Sequence, residues 1–253
     1  MAFALSDVSL VQAAIVAGTA FGAAIVGGMA GYGTGLLLPL VLVPVIGAEN
    51  VVPVIAVSSM FTNAGRLVAM RAFVDWRKVA LLLPLSVPLV ILSAYGFTRL
   101  DERGASLVIG AMLIVLVPLR RWLAHVGFRI AGWQLIPAGG VYGFVTGTST
   151  GAGVILVSFL MAAGLTGPAV VATDAAASIA IGIAKAATFG WNAALPPPVL
   201  IFALLVGLAT LPGAFVARFI LERLPVRLHT LMLEMVIVIG GIGVIARGLM
   251  TPP

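Results

Sequence analysis

Residues Gly27 to Pro39 read GGMAGYGTGLLLP, and they interrupt an uncharged apolar run of about 39 residues from Val8 to Ile46. A bilayer core of about 30 Å takes about 20 helical residues, so that run is too long for one straight span. Gly31, Gly33 and Gly35 admit backbone conformations that bulkier residues resist, and they let a neighbouring helix or a ligand approach closely. The run therefore reads as a broken pair of helices, either a full crossing plus a short return or two re-entrant halves. The second half carries a counterpart, Gly143 to Val157, GFVTGTSTGAGVILV. Irregular backbone at membrane depth is tolerated where it is buried in protein or lines a cavity, so paired breaks point to a binding site.

Composition fixes the setting. Of 253 residues, 62% are hydrophobic and 9% charged, more apolar surface than a soluble domain can cover. The net charge of +6 sits in short loops between apolar runs, where it orients a membrane protein and does not form a nucleic-acid patch. The absence of cysteine excludes disulfides, iron–sulfur clusters and thiolate metal sites. His125 and His229 fall at loop-like positions and form no ligand set, and no nucleophile–histidine–acid or phosphate-loop pattern is present. The reading is thus not an enzyme, with no cofactor and no metal. The N-terminal MAFALSDVSLVQ lacks a positive n-region and reads as a retained membrane segment, not a secretion signal.

Further apolar runs follow at about Val51 to Met70, Val79 to Thr98 and Ala105 to Leu119, and then a basic connector, Arg120 to Arg129. The pattern restarts with a broken pair from Trp133 to Ala163 and runs at about Val170 to Phe189, Val199 to Phe219 and Leu231 to Ala246. Superposing the halves puts Gly33 on Gly151, Gly35 on Gly153, Arg66 on Lys185, Val79 on Val199 and Glu102-Arg103 on Glu222-Arg223; the offset drifts only from 118 to 120. So small a drift indicates a duplicated unit. The expected fold is an all-α polytopic membrane protein of two repeats, residues 1–125 and 126–253, each a broken helix pair plus three further transmembrane helices, about 8–10 spans in all.

Loop charge sets the orientation. If each broken segment returns to its side of entry or crosses twice, one face carries Arg71, Arg77, Lys78, Arg120, Arg121, Arg129, Arg218, Arg223 and Arg227, and the other only Arg99, Arg103 and Arg247. The richer face is cytoplasmic by the positive-inside rule, which puts both termini outside the cytoplasm and makes the two repeats inverted. Trp76, Trp122, Trp133 and Trp191 fall near span ends, as an interfacial belt requires.

A helix restarting near Thr34 presents unpaired N–H groups and a positive dipole end, a natural anion site. Thr148, Ser149, Thr150, Gly151 and Gly153 make the same case in the second repeat and add hydroxyl donors. The alternative is that the glycines serve only close helix packing. Arg66 and Lys185 lie within apolar runs at equivalent positions, following small polar residues on one face: Ser59, Thr62 and Asn63 in the first half, Asp174 and Ser178 in the second. Intramembrane cations tend to face protein or a water-filled cavity, unless they snorkel to the interface. Asp174 and Glu234 are the carboxylates set most deeply in apolar sequence; each is a candidate for proton coupling or a counter-ion to a cation.

At the glycine breaks and the repeat, GYGTGLLLP from Gly31 to Pro39 and STGAGVILV from Ser149 to Val157, the chain resembles the sulfite exporter TauE/SafE family. Thr34 and Ala152 stand where that family's G-x-G-G-G pattern has its middle glycine, Ser149 replaces the first glycine of the second copy, and Val157 stands where Pro39 does. The resemblance implies a transporter of sulfite, thiosulfate or organosulfonates across the inner membrane, an exporter with the bilayer and a small anion as its partners. Residue physics by itself asks only for an anion site. A passive anion channel and a non-transporting membrane subunit of a larger complex are the competing readings; the short loops leave little surface for docking a partner.

Overall fold

The computed structural model describes residues 8–30, 34–221, 242, 244–246 and 248–250. Gly31, Gly33, Glu234, most of the expected Leu231 to Ala246 span and both chain ends lie outside the described residues. Within them the chain is helical and has no strand: α1 (Leu10–Ala30), α2 (Thr34–Ile46), α3 (Ala48–Met70), α4 (Trp76–Phe97), α5 (Glu102–Val126), α6 (Leu135–Thr148), α7 (Gly153–Ala162), α8 (Pro168–Trp191) and α9 (Pro197–Leu221). Helices α3, α4, α5 and α8 are long and apolar enough to cross a membrane. The all-α, multi-pass reading of the sequence holds.

Both glycine-rich stretches separate two helices. One helix ends at Ala30 and the next begins at Thr34; in the second half α6 ends at Thr148 and α7 begins at Gly153. The second members are short. At 1.5 Å per residue, the 13 residues of α2 and the 10 of α7 reach about 20 and 15 Å, roughly two-thirds and one-half of a 30 Å core. Each then turns into the next helix through a glycine that a side chain would strain: Gly47 (φ 75°) before α3 and Gly167 (φ 54°) before α8. Those two glycines are 120 positions apart, within the offset that relates the two halves.

The basic connector is shorter than composition indicates. Helix α5 continues through Arg120 and Arg121 to Val126 and stops at Gly127, which takes the left-handed conformation that glycine tolerates (φ 59°). Arginine is a good helix former and can extend its charge towards water while its stem stays on the helix, so charge alone does not end a span.

Helix α6 packs against α4 through Gly139, Gly143 and Gly147, one face of three turns; a Cβ on Gly143 would stand 2.2 Å from the Ser86 carbonyl oxygen. The Ser86 hydroxyl donates across that interface to the Gly139 carbonyl at 2.7 Å. Helix α9 meets α1 in the same manner, with a Cβ on Gly213 falling 2.5 Å from the Phe21 carbonyl oxygen. Helices α3 and α8 cross at the centre. Arg66 meets Asp174 and Met60 meets Gly182, so position falls along one helix as it rises along the other: the two are antiparallel. Helix α4 runs parallel to α8, since the Asp75 amide donates to Thr173 Oγ1 at their first turns and Phe97 meets Phe189 at their last.

Asp75 caps α4. Its carboxylate accepts from the Lys78 amide at 3.1 Å and from the Lys78 ammonium at 2.7 Å, and that ammonium holds its pKa below the usual 3.8. Asp75→Ala is expected to cost about 1 kcal/mol, read as a lower unfolding temperature at neutral pH. Because the folded pKa is the lower one, the contribution is complete above 3.8 and fades as pH falls through the folded value, so wild type and variant converge in acid.

Candidate functional site

The two breaks meet in space. An added Cβ on Gly35 would lie 1.5 Å from the carbonyl oxygen of Thr150, and one on Gly151 would lie 2.1 Å from Leu36 Cδ2. The first turn of α2 is therefore pressed against the loop that leads into α7. Around this contact lies a cavity of about 90 Å³, lined by Thr34 and Gly35 from α2, by Ile55, Ala56, Ser59, Asn63 and Arg66 from α3, and by Tyr142 and Thr146 from α6. Ser149, Thr150, Gly151, Ala152 and Gly153 from the second break complete it, with Asp174, Ser178, Gly182 and Lys185 from α8.

The cavity thus gathers most of the residues that the sequence picks out. Thr148 is an exception: its hydroxyl donates to the Val145 carbonyl of its own helix, 3.4 Å away, and it does not line the cavity. Thr62, on the polar stripe of α3, turns to α9 and bonds the Thr210 hydroxyl at 3.0 Å. Tyr142, Thr146, Ile55, Ala56 and Gly182 also line it, and no motif in the sequence marks them. For the first two a signal exists, since they lie four apart on the last turns of α6 and share a face directly before the break. The Tyr142 hydroxyl sits 3.2 Å from that of Ser178.

Both intramembrane cations are buried and neither snorkels: Arg66 is 7% exposed and Lys185 3%. Their surroundings differ. Arg66 Nη1 pairs with Asp174 Oδ2 at 3.2 Å, and its Nη2 donates to Asn63 Oδ1. Lys185 lies eleven residues beyond Asp174 and makes no ion pair with it; its ammonium donates to the carbonyls of Thr146 at 2.5 Å and Ser149 at 2.9 Å. It caps the open end of α6, where the helix dipole is negative and carbonyls lack partners.

The charge balance follows. Asp174 offsets Arg66, and the negative ends of α1 and α6, roughly half a charge each, are matched by the positive starts of α2 and α7, so the charge left over is that of Lys185. The cavity stays electropositive. The buried Ser149 hydroxyl lines it and has no hydrogen-bond partner among the described residues, so it is a donor without an acceptor. No group of histidine, cysteine, aspartate or glutamate among the described residues could hold a metal ion.

Compared with known families, residues 16–244 match the sulfite exporter TauE/SafE family over nearly the whole chain. The chain belongs to that family. TauE/SafE proteins are membrane transporters of sulfur anions, not enzymes. Nothing among curated proteins or solved structures matches the chain.

Proposed function

We propose that this protein is a secondary transporter that exports a small sulfur oxyanion, sulfite or the head of a sulfonate, across the inner membrane. The anion sits between the starts of α2 and α7, takes hydrogen bonds from Thr34, Ser149, Thr150 and the adjoining N–H groups, and is drawn by Lys185. One observation carries this reading: a buried Ser149 hydroxyl, without a hydrogen-bond partner among the described residues, in an electropositive cavity formed by both breaks. The volume of about 90 Å³ suits a compact oxyanion and leaves little room for an extended organic tail.

Residues 1–125 and 126–253 are two inverted repeats with the site on their pseudo-dyad. The antiparallel crossing of the equivalent helices α3 and α8 near Met60 and Gly182 supports this, as does the exchange of partners by which α4 packs on α6 while α9 packs on α1. Both termini lie outside the cytoplasm; reporter fusions that gave a cytoplasmic signal at both ends would reverse the assignment.

Unfolding of the detergent-solubilised protein tests the ligand. A ligand at 100 times its Kd stabilises the form it binds by about 2.7 kcal/mol, so sulfite should raise the unfolding temperature where chloride does not. Lys185→Met should remove the sulfite-dependent shift. Stabilisation of that variant equal to wild type would sink the role given to Lys185, and absence of sulfite flux in liposomes under proton or voltage gradients would sink transport itself.

A further inference from the structure

A second cavity, of about 410 Å³, lies at the end of the fold that carries Glu49 and Thr98, and among its walls are Asn50, Pro53, Phe97, Asn192 and Ala194. It comes close to the central cavity without joining it. On α3, Pro53 lines the second cavity and Ile55 the first; two residues apart, they sit on nearly opposite faces, so α3 itself stands between the cavities at that level. On α8, Lys185 lines the first and Asn192 the second, about 10 Å apart, with Phe189 between them. The Phe189 ring is fully buried, with its centroid 5.9 Å from the Lys185 ammonium. Phe97 stands edge to face with it at 6.2 Å and 76°, is 2% exposed and itself lines the second cavity. Cavity, Lys185, Phe189, Phe97, second cavity form one continuous series of contacts.

Resting on the transport reading above, we propose that Phe97 and Phe189 are the closed gate of the permeation path, and that the second cavity is the vestibule through which the anion passes on the Glu49 side. Two apolar rings offer a hydrated anion no hydrogen bond, so the path is shut while they stay edge to face. The gate is specific to one side. At the offset of 119 that relates Arg66 to Lys185, Phe189 corresponds to Met70; at the offset of 120 that relates Val79 to Val199, Phe97 corresponds to Ala217. The inverted copy of this pair therefore lacks both rings, and the structure is shut towards Glu49.

The natural absence of cysteine permits a clean test. Ser59→Cys reports on the central cavity and Ala194→Cys on the vestibule, each labelled in vesicles with a small membrane-impermeant thiol reagent added to one face at a time. With both phenylalanines present, Ala194→Cys reacts from the Glu49 face and Ser59→Cys does not. In a Phe97→Ala or Phe189→Leu background that still elutes as a single species, Ser59→Cys gains labelling from that face, up to the rate of Ala194→Cys. Labelling of Ser59→Cys from the Glu49 face with both rings in place overturns the gate. So does continued protection in a folded variant of either ring whose Ala194→Cys still reacts. No substrate is required, so the expected pattern without sulfite flux would keep the gate and remove the sulfite reading.

Discussion

Gly35→Ala is expected to destabilise the protein by about 3 kcal/mol, the upper end of the range for overpacking, and to abolish sulfite-dependent stabilisation. The added methyl would stand 1.5 Å from the Thr150 carbonyl oxygen and 2.6 Å from its carbon, so backbone must move, not the tip of a side chain. Moving Thr150 shifts Ser149 and Gly151, two walls of the cavity, and the Ser149 carbonyl that holds Lys185. Gly22→Ala is the control: among the described residues nothing lies within 4 Å of a Cβ there, and a methyl on a helical glycine should be neutral or slightly stabilising. Gly151→Ala should fall between the two, because the atom it meets first is the end of the Leu36 side chain, which can rotate. Thermal unfolding of the three variants, with and without sulfite, gives the order. A Gly35→Ala protein as stable as Gly22→Ala would show that the two breaks do not press on each other.

Much of this arrangement is legible in the sequence because the bilayer restricts what a chain can do. An uncharged run too long for one span has to break, and glycines mark where. A cation within an apolar run has to find protein or a cavity, which is why Arg66, Lys185 and the small polar residues preceding them converge. What pattern reading misses depends on angles and on distant partners. Thr148 and Ser149 are adjacent, yet one turns back onto its own helix and the other lines the cavity, because Thr148 is the last helical residue and Ser149 has already left the helix in extended backbone (φ −123°, ψ 169°). Nothing local distinguishes Thr62, bound to Thr210, from Ser59 and Asn63 on the same stripe. The partners of the two cations are likewise set by tertiary contact, across 108 residues for Arg66 and Asp174. Symmetry equates Arg66 with Lys185, but the position equivalent to Asp174 at that offset of 119 is Ile55.

That asymmetry makes the two cations separable by mutation. Arg66→Ala and Asp174→Ala should each destabilise the protein by about 3–5 kcal/mol, since each removes the counter-charge of a buried ion pair. The side chains are 8% and 2% exposed, so water cannot readily take the place of the lost group. The double variant Arg66→Met, Asp174→Leu removes both charges and should recover most of that loss, because paired desolvation costs disappear with the pair. Electrostatics then distinguishes the roles. Deleting the pair leaves the net charge around the cavity unchanged, so the double variant keeps a sulfite-dependent shift in unfolding temperature. Lys185→Met leaves the pair intact and deletes the cation that Asp174 does not offset, and the shift vanishes. A Lys185→Met protein that binds sulfite, beside a folded double variant that does not, would transfer the anion from Lys185 to Arg66 and make Asp174 a competitor for the same guanidinium.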